Sequence, residues 1–153
     1  MRTNNIGNLV ELRPPRIAMG FVCAAIAAHI LLTLPLHPAL PAAAALVAVA
    51  GFAIMIRAWW LFKRVSTAIC PTEVSASLVT HDIFSITRNP MYLGMIMMLA
   101  GLALLMGSVP FYIALAGFVV VIDRIFCSYE EHKLLHEFGN GFDSYRKKVR
   151  RWL

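Results

Sequence analysis

The sequence predicts an all-α integral membrane protein with four transmembrane helices, the last two forming a helical hairpin. Three observations carry this reading. The 153 residues are 59% hydrophobic and 14% charged, with a mean hydropathy of +0.71, too apolar for a soluble domain of this size. Apolar segments run from Ile17 to Leu34, Pro41 to Phe62 and Met91 to Cys127, the last about twice the length that spans a bilayer. Apart from Arg57 and Arg124, Lys and Arg lie on alternate flanks of these segments, as cytoplasmic loops require.

One membrane domain accounts for residues 1–153. Residues 1–16 form an arm carrying Arg2, Arg13 and Arg16, and residues 17–62 hold the first two spans. The first span also resembles a secretory signal, with small residues near Pro38 to Ala42, but its apolar stretch is long for one, and a retained helix is expected. The alanines at Ala42 to Ala45 suit close helix packing. Residues 63–90 are a polar loop, and residues 91–127 must fold back on themselves. "MGSVP" supplies the turn: Gly107 and Ser108 tolerate loop geometry, and Pro110 fits the first turn of a new helix. The third span is consequently short. The first loop, "PLHPAL", and the hairpin turn carry no Lys, Arg, Asp or Glu. Both termini and the 63–90 loop are therefore expected in the cytosol, with a bacterial inner membrane as the location. The basic tail "YRKKVRRW" matches an anionic lipid surface better than nucleic acid, which is not expected as a partner.

The remaining polar residues lie in that loop and in the tail 128–153, which this topology brings to one membrane face. "SYEE" spaces Ser128 and Glu131 as a capping box, a bland role for Glu131 that requires a helix to start near Ser128. If the fourth span continues, the cap disappears and both carboxylates share one helix. Glu130 has no such role, and a carboxylate near the membrane face must be solvated, paired or bound to a cationic ligand. A bridge to Arg88 or Arg124 is the structural alternative. Leu134, Leu135 and Phe138 recur at helical spacing as a packing face that Gly139 and Gly141 end. His132 and His136 are four apart without a third ligand, and Cys23, Cys70 and Cys127 lack metal-ligand spacing, so no metal is expected. Arg57 lies about two turns from Lys63 and can snorkel.

"SLVTHDIFSITRNPMYLG", then the hairpin, then "EEHKLLHEFGNGFDSYRKKVRRWL" resembles the C-terminal half of the isoprenylcysteine carboxyl methyltransferase and phospholipid methyltransferase superfamily, over roughly Ile69 to Leu153. The shared pattern is Arg, His or Asn, Pro-x-Tyr-x-Gly, and later Glu-Glu, Leu and Phe-Gly with a terminal Tyr. The resemblance implies methyl transfer from S-adenosylmethionine, held under a cap built from the cytosolic loop and C-terminal helices, to a lipophilic acceptor entering from the membrane. It places Ser77, Leu78, Val79, Phe84, Asn89, Tyr92 and Glu130 around the cofactor, and makes Arg88, Tyr92 and Glu131 the catalytic candidates. The cofactor's sulfonium, ammonium, carboxylate and diol call for a carboxylate, an amide, an Arg and aromatic faces close together. Pro90 would turn the chain into the third span and present Arg88, Asn89 and Tyr92. An acceptor that must lose a proton would turn to His81 or Glu131.

The chain departs from the pattern at four positions. Asp82 replaces the usual Gly before an aromatic, Phe84 replaces Tyr, and Phe142 replaces the first Tyr after Phe-Gly. Phe126 stands where the isoprenylcysteine enzymes hold a substrate carboxylate with Arg, and Arg124 is two positions away. A less polar or amine-bearing lipid, or a small hydrophobic acceptor, is thus as consistent with the sequence as a prenylated cysteine. An NADPH-dependent membrane reductase and a non-catalytic lipid-binding scaffold are the alternatives.

Overall fold

A computed structural model describes residues 13–32, 34–64 and 77–153, and these are helical apart from short connections. Most of the predicted arm, and residues 65–76 of the loop with Cys70, lie outside the described residues. Helix α1 spans Pro14–Leu32 and α2 spans Pro41–Arg64, each opened by a proline whose missing N–H costs a first turn nothing. Lys63 and Arg64 close α2, where cations meet the negative end of the helix dipole. After a short 3₁₀ turn at Asp82–Ser85, α3 runs over Pro90–Met106 and α4 over Val109–Phe138. Asn140–Lys148 forms α5.

Helices α1, α2 and α4 are long and apolar enough to cross a membrane. Helix α3, at 17 residues, is apolar but shorter, which is the predicted short third segment. It occupies the centre of the bundle. Tyr92 and Leu99 from α3 join Phe118, Ile122, Phe126 and Cys127 from α4 in one buried cluster, and Ile17, Phe21 and Val22 of α1 pack onto it. The outer surface is correspondingly apolar: Leu31 is 81% exposed and Leu46 72%, an arrangement suited to lipid rather than water.

On its other side α3 meets α2 through residues with almost no side chain. A Cβ added at Gly94 would lie 2.5 Å from the Gly51 carbonyl oxygen, and one at Gly101 would lie 2.8 Å from the Ala44 carbonyl. Ala44 and Ala58 are buried in the same seam. Two backbones approach this closely only where small residues face each other, so the predicted role of the Ala42 to Ala45 run is seen at Ala44.

The hairpin turn forms where the sequence places it. Gly107 ends α3 with φ +58°, and Pro110 lies in the first turn of α4. The first loop is fastened to this turn: the Leu36 and His37 amides donate to the Gly107 carbonyl, and the Val109 amide donates to the Leu34 carbonyl at 3.0 Å. His37 Nε2 lies 2.7 Å from the Tyr112 hydroxyl.

One open alternative is decided and one local expectation is corrected. Ser128 has helical backbone angles and caps nothing, because α4 passes through it without a break, so Glu131 has no capping role. Gly139, with φ +50°, does separate α4 from α5, but Gly141 lies inside α5 rather than ending the preceding helix. Leu134, Leu135 and Phe138 pack with Leu78 onto Phe142, Tyr145 and Val149, so the predicted packing face closes on the loop and on α5.

Arg57 does more than snorkel. Its guanidinium pairs with the Asp82 carboxylate, tying α2 to the loop. Asp82 has φ +60°, a conformation suited to glycine, and its own carboxylate oxygen accepts from the Ile83 amide at 2.7 Å. This is the position where the resemblance leads one to expect Gly, and Asp meets the same backbone demand with a short acceptor side chain. Hydrogen bonding from Arg57 holds the Asp82 carboxyl below its usual range. A group lowered in this way stabilises the fold above its unfolded pKa, about 4, and the contribution is lost as pH falls through the lower folded value. Asp82→Ala should melt below Asp82→Gly in detergent, since Ala has neither the conformational freedom nor the ion pair. The gap between wild type and Asp82→Gly should be constant at neutral pH and narrow below about pH 4. Thermal melts of the three proteins across pH 3 to 7 check both points.

Candidate active site

Helices α3 and α4 bring their polar residues together at one end of the bundle. Pro90 starts α3 in the first turn, with Asn89 as its N-terminal flank, and this sets Tyr92 one turn into the helix, facing α4. The Tyr92 hydroxyl donates to Glu130 Oε1 at 2.5 Å, and its ring meets Phe126 edge-on at 6.2 Å. Glu130 therefore pairs with Tyr92 and not with Arg88 or Arg124. Arg124 is turned outward, its side chain 81% exposed, with a 3.6 Å contact to Asp123.

Arg88 goes to the neighbouring carboxylate. Its Nη1 lies 2.9 Å from Glu131 Oε1, but the N–H is not aimed along that contact. Arg88 Nε is also buried without a hydrogen-bond partner among the described residues.

Glu131 is shared with a residue the sequence reading did not select. Arg151 Nε donates to Glu131 Oε1 at 2.9 Å and Nη2 donates to Oε2 at 2.7 Å, a two-pronged contact. The remaining nitrogen, Nη1, donates to Asp123 Oδ1 at 3.1 Å, and Trp152 Nε1 donates to the same oxygen at 2.9 Å. Hydrogen bonding to Glu131, then to Asp123, holds Arg151 protonated well above its ordinary range.

Regular α-helical geometry would set Asp123 and Glu131, eight residues apart, roughly 80° out of line. The helix is not regular here. Ile122–Cys127 is π-helical, and Ser128 Oγ reaches back five residues to the Asp123 carbonyl at 3.4 Å. The wider turn brings both carboxylates to one guanidinium, as such irregularities often do at functional sites.

The same C-terminal stretch holds the turn before α3. The Arg88 amide donates to the Arg150 carbonyl at 3.1 Å, and the Arg151 carbonyl accepts from Thr87 Oγ1 at 3.0 Å and Asn89 Nδ2 at 3.2 Å. Thr87 and Asn89 are both buried. Beside this cluster, Ser128, Glu131, His132, Leu135, Arg146 and Arg151 line a cleft of about 150 Å³.

Arg88, Asn89 and Glu131 thus meet around Arg151, and the Tyr92–Glu130 pair lies beside them at the same end of α3 and α4. Leu78, Val79 and Phe84 stand apart from this cluster. Val79 and Phe84 pack with Ala58 and Leu61 of α2, and Leu78 packs against α5. Tyr145 of α5 fastens this second group, its hydroxyl donating to the Phe84 carbonyl at 2.6 Å. Burial pushes the Tyr145 phenol up to about 12, which keeps it a donor. His81 is exposed at the start of the 3₁₀ turn, and no group of three metal-binding side chains forms among the described residues.

Asp123, Arg151 and Trp152 are the members of the cluster that sequence reasoning missed. Asp123 carried a usable signal, an acid within an otherwise apolar run. Arg151 carried none, being one of five cations between Arg146 and Arg151.

Comparison with known proteins decides the family. The phospholipid methyltransferase profile matches residues 40–141, from α2 into α5. The chain belongs to the phospholipid methyltransferase family. An uncharacterized protein of Haemophilus influenzae is 33% identical over 63 residues, which cover 41% of this chain and all of that protein. No solved structure matches the chain. Family membership implies a membrane methyltransferase, and the polar cluster lies inside the matched region except for its C-terminal clamp, Arg150 to Trp152. In phospholipid methyltransferase terms, α2, α3 and α4 are the shared framework, while α1 and the C-terminal clamp lie outside the match.

Proposed function

We propose that the chain transfers a methyl group from S-adenosylmethionine to a lipophilic acceptor drawn from the membrane. The observation that carries this reading is the meeting of Arg88, Asn89, Tyr92, Glu130 and Glu131 at one end of a buried α3–α4 pair, in a phospholipid methyltransferase family member. The donor set fits the cofactor. Arg88 presents a buried Nε with no partner among the described residues, suited to a carboxylate. Glu130 supplies negative charge for an ammonium or sulfonium. Arg88, Asn89, Tyr92 and Glu130 would hold the cofactor, with the backbone of Ser77, Leu78 and Val79 and the ring of Phe84 on the loop side. When bound, it supplies a methyl carbon activated by a positively charged sulfur.

The protein's own contribution is placement and exclusion of water. Tyr92 fixes Glu130 by its hydroxyl, and Phe126, fully buried beneath Tyr92, keeps the adjoining wall apolar. A Phe there gives an acceptor carboxylate no cation, which favours an apolar or amine-bearing acceptor. Glu131 has both oxygens in guanidinium contacts, so it acts as a positioning group rather than as the base the sequence suggested. The Lys- and Arg-rich end, with this cluster, faces the cytosol in this reading.

The test is transfer of label. Detergent-purified protein given methyl-labelled S-adenosylmethionine and a bacterial lipid extract should move label into the organic phase. Absence of transfer, together with saturable binding of NADPH, would overturn the assignment in favour of a reductase.

A further inference from the structure

We infer that Arg151 is a positioning residue of the methyl-transfer site, acting on the cofactor through Glu131 and Arg88. The inference rests on the reading of this cluster as the cofactor site. Three independent contacts place Arg151 at its centre. The guanidinium grips both oxygens of Glu131 at 2.9 and 2.7 Å, so that carboxylate cannot rotate without breaking the pair. Its third nitrogen is anchored on Asp123, which Trp152 also holds. The Arg151 carbonyl takes hydrogen bonds from Thr87 and Asn89, flanking Arg88 on both sides.

The consequence for Arg88 follows from charge and geometry. Left to themselves, Glu131 and Arg88 would close into a two-pronged pair, the preferred arrangement of Arg with a carboxylate. Arg151 already holds both Glu131 oxygens. Arg88 is left with one misaligned contact and a buried Nε that has no partner among the described residues. The guanidinium of Arg88 is thereby kept in place and kept available to an incoming carboxylate. Lysine could not do this: an ammonium is a point charge and cannot bridge Glu131 and Asp123 in a fixed plane.

Calorimetric titration with S-adenosylhomocysteine tests the inference on wild type, Arg151→Ala, Arg151→Lys and Lys148→Ala, with KM for S-adenosylmethionine and kcat measured on each. Arg151→Ala should weaken binding and raise KM about tenfold or more, with kcat reduced much less, because Arg88 turns onto Glu131. Millimolar ethylguanidinium should restore part of that binding. Arg151→Lys should show the same weakening while melting near wild type, and it decides the question if Arg151→Ala does not fold. Lys148→Ala should match wild type. Wild-type affinity in a folded Arg151→Lys, or a lowered melting temperature in Arg151→Ala with Kd and KM unchanged, would make Arg151 a structural clamp and overturn the inference. A wild-type protein that binds no S-adenosylhomocysteine would instead overturn the functional reading, and this inference with it.

Discussion

Glu130→Gln is expected to lower kcat/KM for methyl transfer about a hundredfold while leaving the melting temperature within a few degrees of wild type. Gln has nearly the shape of Glu and keeps a carbonyl oxygen for the Tyr92 hydroxyl, now 2.5 Å from Glu130 Oε1. The packing of Tyr92 against Phe126 is unaffected. What disappears is the negative charge beside a cationic cofactor, and charge-assisted contacts in a site shielded from water are the strong ones. Tyr92→Phe leaves that charge and removes only the group that orients it, so its loss should be smaller, about tenfold. Steady-state kinetics and thermal melts on the same preparations separate the two effects. A Glu130→Gln protein with wild-type kinetics would remove Glu130 from the site.

The largest effect on the fold is expected from Gly94→Leu. A methyl group at this position already falls 2.5 Å from the Gly51 carbonyl and 3.0 Å from Met55 Cβ. The obstacle at Gly51 is backbone, which cannot move aside as a side-chain tip can. The α2 and α3 helices would have to separate along the seam that includes Gly101, Ala44 and Ala48. Overpacking of a tight core costs about 1–3 kcal/mol, and here it also opens the close approach on which helix association in lipid depends. Gly94→Leu should therefore lose its monodisperse peak in detergent chromatography and its cooperative melt. Leu at Gly20, where an added Cβ meets nothing within 4 Å, should do neither. The reverse pattern would contradict the packing described.

What could be read from the sequence was local. Pro90, Gly107 and Pro110 mark helix boundaries by their own backbone preferences, and the structure places all three where expected. Glu130 stood out because a carboxylate near a membrane face needs a reason, and Tyr92 supplies it across 38 residues of chain. Glu131 was harder. Its spacing from Ser128 satisfies a capping pattern, yet the π-helical stretch carries α4 through Ser128 unbroken, so a sound local signal gave way to the helix already in progress.

Other features depend on pairings that spacing does not encode. Asp123 and Glu131 meet one guanidinium only because the helix abandons its 3.6-residue period between them. Arg151 is indistinguishable from its cationic neighbours until the tail is seen folded back on Thr87 and Asn89. Arg57 could be credited with snorkelling from its depth alone, whereas Asp82 draws it into an ion pair. Asp82 itself was noticed as a departure from glycine, but the reason, a positive φ met by a side-chain acceptor, is a matter of backbone geometry.

The central claim is that the Arg88, Asn89, Tyr92 and Glu130 cluster binds S-adenosylmethionine. Calorimetric titration of the detergent-purified protein with S-adenosylhomocysteine, with NADPH in a parallel run, tests it most directly. One saturable site for S-adenosylhomocysteine, lost or greatly weakened in Glu130→Ala, and no binding of NADPH is the predicted result. Saturable binding of NADPH with silence toward S-adenosylhomocysteine, or silence toward both in a sample that melts cooperatively, would contradict it.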